Sequence, residues 1–191
     1  QYRMLDADYD NGWRGEYWGK MMRGACLTYS YTRNSKLYNI LSDSVKELLD
    51  CQETDGRMST YAKNHEFQDW DMWCRKYVLL GMQYFLEICR DEVLKQELLS
   101  CMCGQLDYIM EKVGPNPGQI PITKASNHWR GLNSASLLEP VVRLYRLTGE
   151  KKYLDYAGYI VDGGFTDISN LITLVLEDDF PPYQYPVTKA Y

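Results

Sequence analysis

Three helix breaks recur along this chain at nearly constant spacing. Tyr31-Thr-Arg-Asn34, Ile88-Cys-Arg-Asp91 and Leu147-Thr-Gly-Glu150 each close one helical stretch and open another, 57 and 59 residues apart. On either side the apolar residues keep helical time. Leu37, Leu41, Val45 and Leu48 step by four, four and three, and Leu94, Leu98, Cys101, Leu106, Ile109 and Val113 do much the same. Such spacing puts one apolar stripe on a helix and leaves Lys46, Glu47, Lys95 and Glu97 to solvent. No convincing alternating strand interrupts the pattern. A fixed period of this size marks stacked αα-hairpins.

Two kinds of helix alternate. Tyr77–Leu86 is apolar nearly all round, and Ser136–Leu147 reads almost the same, whereas 35–51, 91–113 and 150–162 carry a single stripe. The expectation is an all-α chain of hairpins at about 13–51, 69–113 and 128–162, with buried helices inside and half-exposed ones outside. The sequence after Pro186 can begin a fourth unit. Six such hairpins close into an (α/α)6 barrel of roughly 350 residues. At 191 residues the chain holds about half of one, and the rest of the polypeptide is expected to cover the flank of the inner helices. The first residue, Gln1, and the last three, Lys189-Ala190-Tyr191, both read as cut ends.

Composition excludes several function classes. A content of 45% hydrophobic and 25% charged residues is that of a globular protein. With 21 Lys and Arg against 26 Asp and Glu, the net charge is −5, and no basic run exists to contact phosphates. Nucleic acid is not an expected partner. The longest apolar runs, Tyr77–Met82 and Leu171–Leu176, fall far short of the ~20 residues that span a bilayer, so no membrane partner is expected either. Six cysteines at 26, 51, 74, 89, 101 and 103 show no zinc spacing and sit mostly in apolar helical stretches. They read as inert core thiols.

All five tryptophans fall in three segments: Trp13 and Trp18, Trp70 and Trp73, and Trp129. Each segment opens a buried helix just after an inter-hairpin loop and carries polar neighbours, among them Arg14 and Glu16, Asp69, Asp71 and Arg75, and Asn127, His128 and Arg130. In a ring of hairpins those helix starts gather at one mouth. Aromatic faces beside carboxylates and guanidinium groups suit carbohydrate, whose C–H faces stack on rings and whose hydroxyls need paired donors and acceptors. The expected substrate-binding set is Trp13, Glu16, Trp70, Asp71, Trp73, His128, Trp129 and Arg130. Asp69 reads as a helix cap, while Glu16 and Asp71 can point inward as a carboxyl pair of the kind glycosidases use.

Three stretches resemble one family. Trp70-Asp-Met-Trp-Cys-Arg-Lys-Tyr-Val-Leu-Leu-Gly81, the run Leu137–Gly149 followed by Lys152-Tyr-Leu-Asp155, and Gln52-Glu-Thr-Asp-Gly56 are similar to the β-L-arabinofuranosidases of glycoside hydrolase family 127, once called the DUF1680 group. The resemblance implies an (α/α)6 barrel, β-sandwich domains after it, and retaining hydrolysis of a terminal sugar. It also implies a nucleophilic cysteine bound to zinc in the complete enzyme, in a motif none of the six cysteines here matches. That nucleophile is expected beyond Tyr191, and no metal within this chain. A secreted or periplasmic location follows from the same resemblance. The branch with a His-Glu-Leu-Tyr motif differs, because Asp69-Trp-Asp-Met-Trp73 stands in its place.

Two other readings stay open. A polysaccharide lyase or unsaturated uronyl hydrolase on the same barrel would need a basic pocket, for which Arg14, Arg75 and Arg130 are available. A non-catalytic scaffold of helical repeats binding protein on a concave face is the other.

Overall fold

The computed structural model describes residues 13–177. It is all-α, and among the described residues the only β pairing is two isolated bridges, Val113 with Ile120 and Phe165 with Asn170. Among the described residues eight α-helices follow one another: α1 (Arg14–Thr32), α2 (Ser35–Leu49), α3 (Asp71–Ile88), α4 (Glu92–Lys112), α5 (Leu132–Ala135), α6 (Leu138–Thr148), α7 (Lys151–Asp162) and α8 (Leu171–Glu177). The chain divides into two compact units, Gln1–Glu66 with Cys74–Ile109, and Phe67–Trp73 with Met110–Tyr191. The proposed fourth hairpin after Pro186 lies outside the described residues.

The recurrent breaks are helix caps. Arg33 and Gly149 take left-handed φ of 55° and 72° and return their N–H groups to Tyr29 O and Tyr145 O. Such a residue ends a helix by satisfying a carbonyl of its last turn. Asn34 Oδ1 then accepts from Leu37 N at 3.0 Å, and Asp91 Oδ1 accepts from Val93 N and Leu94 N, at 2.9 and 3.2 Å. Each supplies an acceptor to the orphan donors that open the next helix.

In the first unit the stripes are buried as their spacing requires. Leu41, Val45 and Leu48 of α2 and Leu94, Leu98, Cys101, Met102 and Leu106 of α4 are all core residues. The apolar middle of α3 is buried at Val78, Leu79, Leu80, Met82 and Phe85. Glycine lets α1 approach α3 closely: a Cβ on Gly19 would lie 2.0 Å from Tyr77 O. The loop 50–66 is held by ions. Glu66 accepts from Arg57 Nε at 2.7 Å, from Arg75 Nη2, and from Tyr108 Oη at 2.8 Å, while Arg57 Nη1 also reaches Glu53 at 2.6 Å. Burial and the bond to Glu66 push the Tyr108 phenol up to about 12. None of the six cysteines is in a disulfide, and burial pushes the Cys26 and Cys101 thiols up to about 12.

Two helices differ from the all-round burial expected of an inner layer. In α1, Tyr17, Met21, Leu27 and Tyr31 are exposed. In the second unit, the stretch 136–147 is broken, with Ser136 and Leu137 separating α5 from α6, and Pro140 falls in the first turn of α6, where its missing N–H costs no helical bond. α6 buries Val141 and Leu144 but exposes Val142 and Leu147, so it is one-striped. It packs on α7, whose Tyr153, Tyr156, Ala157 and Ile160 are buried. Tyr156 Oη and Tyr159 Oη tie α7 to the preceding loop, through Val113 O at 3.0 Å and Ile122 N at 2.8 Å. No described helix is long and apolar enough to cross a membrane.

Candidate functional site

The second unit gathers four aromatic rings from two distant segments. Trp70 and Trp73 stand at the start of α3, and Trp129 opens the short turn Trp129–Gly131, with His128 just before it. His128 stacks on Trp70, centroids 4.4 Å apart and planes 17° from parallel. Trp129 meets Trp70 and Trp73 edge-on at 5.0 and 5.1 Å, and Trp70 meets Trp73 at 6.2 Å. Edge-to-face and stacked pairs at these distances are each favourable by about 0.5–1.5 kcal/mol beyond their burial. All four side chains remain half-buried, so the cluster has aromatic surface at the boundary with solvent.

Asp69 binds the two segments together. Its N–H donates to Asn127 Oδ1 at 3.1 Å, and its carbonyl accepts from Ser126 Oγ at 2.7 Å and Asn133 Nδ2 at 3.2 Å. Its carboxylate lies 3.6 Å from His128 Nε2, close enough for an ion pair with a protonated ring but too long for a hydrogen bond. Beside the cluster, Arg130 Nε lies 3.0 Å from Asp167, whose N–H donates to Arg130 O at 2.9 Å.

The backbone here is strained. Among the described residues six non-glycine residues have positive φ, and apart from the helix cap Arg33 they are Phe67, Asp69, Trp129, Arg130 and Phe165. Left-handed backbone costs an L-residue roughly 1–2 kcal/mol, and such strain concentrates at functional sites. Gly131 adds φ of 92°, and a Cβ there would lie 2.1 Å from Thr123 O.

The expected site residues are placed as follows. Trp70, Trp73, His128 and Trp129 come together, with Arg130 adjoining. The two aspartates stand in different surroundings. Asp71 is fully buried and its Oδ2 accepts from Phe67 N at 2.9 Å, whereas Asp69 carries a half-buried carboxylate beside the rings. Glu16 belongs to the first unit, where it pairs with Lys20 one turn along α1 at 2.5 Å, an ordinary helix-surface contact. Trp13, also in the first unit, is 45% exposed. Arg75 is buried on Glu66, which removes it from the basic pocket that a uronyl hydrolase or lyase would need. Sequence reasoning passed over Asp167, Ser126 and Asn133. Only the Gly163-Gly164 turn before Asp167 hinted at a shaped loop there.

The family model described as β-L-arabinofuranosidase, GH127 catalytic domain, matches residues 2–181. The chain belongs to this family. No curated protein matches the sequence significantly. Among solved structures, a GH127 β-L-arabinofuranosidase from Geobacillus stearothermophilus T6 superposes with a TM-score of 0.65 at 17% identity, covering 91% of this chain. The GH127 β-arabinofuranosidase BT3674 does so at 0.62 and 19%, covering 85%. This GH127 sequence spans only 27% of the length of each. Those neighbours have (α/α)6 barrels, and the helical hairpins here are part of that fold.

The zinc implied for complete GH127 enzymes does not fit the described residues. No group of three or more His, Cys, Asp or Glu among them is placed to hold a metal ion.

Proposed function

We propose that this GH127 domain serves a glycoside hydrolase of the β-L-arabinofuranosidase kind, and that the aromatic cluster forms part of its sugar-binding surface. The observation that carries the reading is the convergence of Trp70, Trp73, Trp129 and His128, half-buried and flanked by Asp69 and Arg130, within a chain of this family. Indole faces offer stacking surface to sugar C–H groups, and the Asp69 carboxylate and Arg130 guanidinium accept from and donate to hydroxyls. The part assigned to these residues is binding and orientation. In the whole enzyme, hydrolysis passes through an oxocarbenium-like transition state, with the reacting groups supplied outside these 191 residues.

Titration with arabinose and short arabino-oligosaccharides, followed by tryptophan emission, tests the reading. Saturable quenching is expected, falling at least tenfold in apparent affinity in Trp129→Ala with the fold preserved by circular dichroism. No saturable change with any of these sugars, or the same change in Trp129→Ala, would overturn it.

A further inference from the structure

A second feature adjoins the aromatic cluster and takes no part in it. Phe67 and Gln68, the loop Thr123–Asn127 and Asp167 enclose a cleft of about 230 Å³ in the second unit. That is below the roughly 300–1,000 Å³ of sites for drug-sized ligands, so the occupant is small, about one sugar ring. Phe67 contributes apolar surface, and the rest of the lining is polar.

The hydrogen-bonding inventory of this cleft is lopsided. Lys124 forms no ion pair among the described residues and brings three donors and a positive charge. Asn127 has its oxygen occupied by Asp69 N, which leaves its amide NH₂ group as what it can offer a ligand. Ser126 is committed in both directions, donating to Asp69 O and accepting from His128 N at 3.0 Å. The one carboxylate, Asp167, is neutralised by Arg130 at 3.0 Å. The one charge in the lining without an ion-pair partner among the described residues is therefore positive. Three of the lining or flanking residues, Phe67, Asp69 and Arg130, hold left-handed backbone, which fixes the shape of the wall.

We infer that this cleft is a second carbohydrate subsite that takes an acidic sugar unit, a uronate whose carboxylate faces Lys124 and the Asn127 amide. The inference rests on the glycoside reading above and narrows its substrate class to glycans bearing uronate beside the sugar held at the tryptophans. A neutral sugar brings no anion to the Lys124 ammonium, and a phosphate-bearing polymer would need more than one cation.

Calorimetric titration with digalacturonate and, separately, with galactobiose tests this on the intact chain. Digalacturonate is expected to bind more tightly, with an affinity that falls as salt is raised. Lys124→Met should weaken it by roughly ten- to a hundredfold, as befits a lost hydrogen bond to a charged group, and leave galactobiose unchanged. Asp167→Asn, which removes the cleft's negative charge, should not weaken digalacturonate. Equal affinity for both sugars, or indifference to Lys124→Met, overturns the acidic subsite while arabino-oligosaccharide quenching of the tryptophans keeps the wider reading intact. Failure of every sugar, arabino-oligosaccharides included, overturns both.

Discussion

Replacing Glu66 with alanine removes the one carboxylate that two buried guanidinium groups share. The Arg57 side chain is 6% exposed, that of Arg75 1%, and that of Glu66 8%. Glu66 Oε1 takes both arginines and Oε2 takes Tyr108 Oη at 2.8 Å. Arg57 keeps Glu53 at 2.6 Å, but both guanidinium groups lose the carboxylate they share and are left as like charges in a buried region. Deleting one partner of a buried pair costs about 3–5 kcal/mol, a large part of the roughly 5–15 kcal/mol that holds a domain folded. At a urea dependence of about 1–3 kcal/mol per molar, the unfolding midpoint should fall by roughly 2 M. Glu66→Gln, which retains acceptor oxygen but no charge, should fall between. Glu53→Ala is the control, because its carboxylate is 31% exposed and an exposed ion pair contributes about 1 kcal/mol or less. A Glu66→Ala protein whose midpoint matches that of Glu53→Ala would refute the view that this network holds loop 50–66 in place.

Two further outcomes follow from backbone geometry and burial. Gly131→Ala should lower the unfolding midpoint strongly and disturb the tryptophan cluster, since it combines φ of 92° with a 2.1 Å approach to Thr123 O. Gly118→Ala has φ of 88° but open space around the new methyl group, so it should cost only about 1–2 kcal/mol. Comparing the two by urea denaturation and by near-ultraviolet circular dichroism separates clash from conformational strain. Thiol labelling checks burial: at pH 8 the Cys51 and Cys103 side chains, half-buried, should react before Cys26 and Cys101. The raised values of the latter pair mean that the reactive thiolate is scarce until the pH nears 12. Equal rates for all four in the folded protein would contradict the burial.

What could be read from the sequence follows a physical rule. The stripes of α2, α4 and α7 were legible because a half-buried helix sorts its residues by a period of 3.6, and the breaks were legible because caps need particular residues. The exposed faces of α1 and α6 were not. Tyr17, Met21 and Leu27 look the same in a sequence whether or not anything packs on them, since composition reports what a helix can bury and not what covers it. The tryptophans of the second unit were legible as a group because rings gathered at helix starts stand out against a background of Leu and Val. Glu16 is a case where the local contact was legible: a carboxylate four residues before Lys20 makes a routine helix pair, and that spacing was in plain view.

The surroundings of Asp69 and Asp71 show where the limit lies. Ordinary capping rules favour the aspartate just ahead of a helix as the cap and leave one inside the first turn to point elsewhere. Those rules assume an ordinary entry into the helix. Here Phe67 and Asp69 both take left-handed φ, of 57° and 45°. The chain folds back so that Phe67 N reaches Asp71 Oδ2 from the helix side, and the Asp69 carboxylate is turned toward His128. Nothing in the identity of a phenylalanine announces that conformation, which is unfavourable for it in isolation, and the neighbouring Asp69 is held in its own by bonds with Asn127, Ser126 and Asn133. The same holds for Trp129 and Arg130, fixed by the Gly131–Thr123 approach and by Asp167. A backbone held against its own preference at Phe67, Asp69, Trp129 and Arg130, in or beside one aromatic cluster and its neighbouring cleft, is hard to account for by stability alone, since an unstrained loop would serve a core better. That is the physical reason to look for ligand chemistry there.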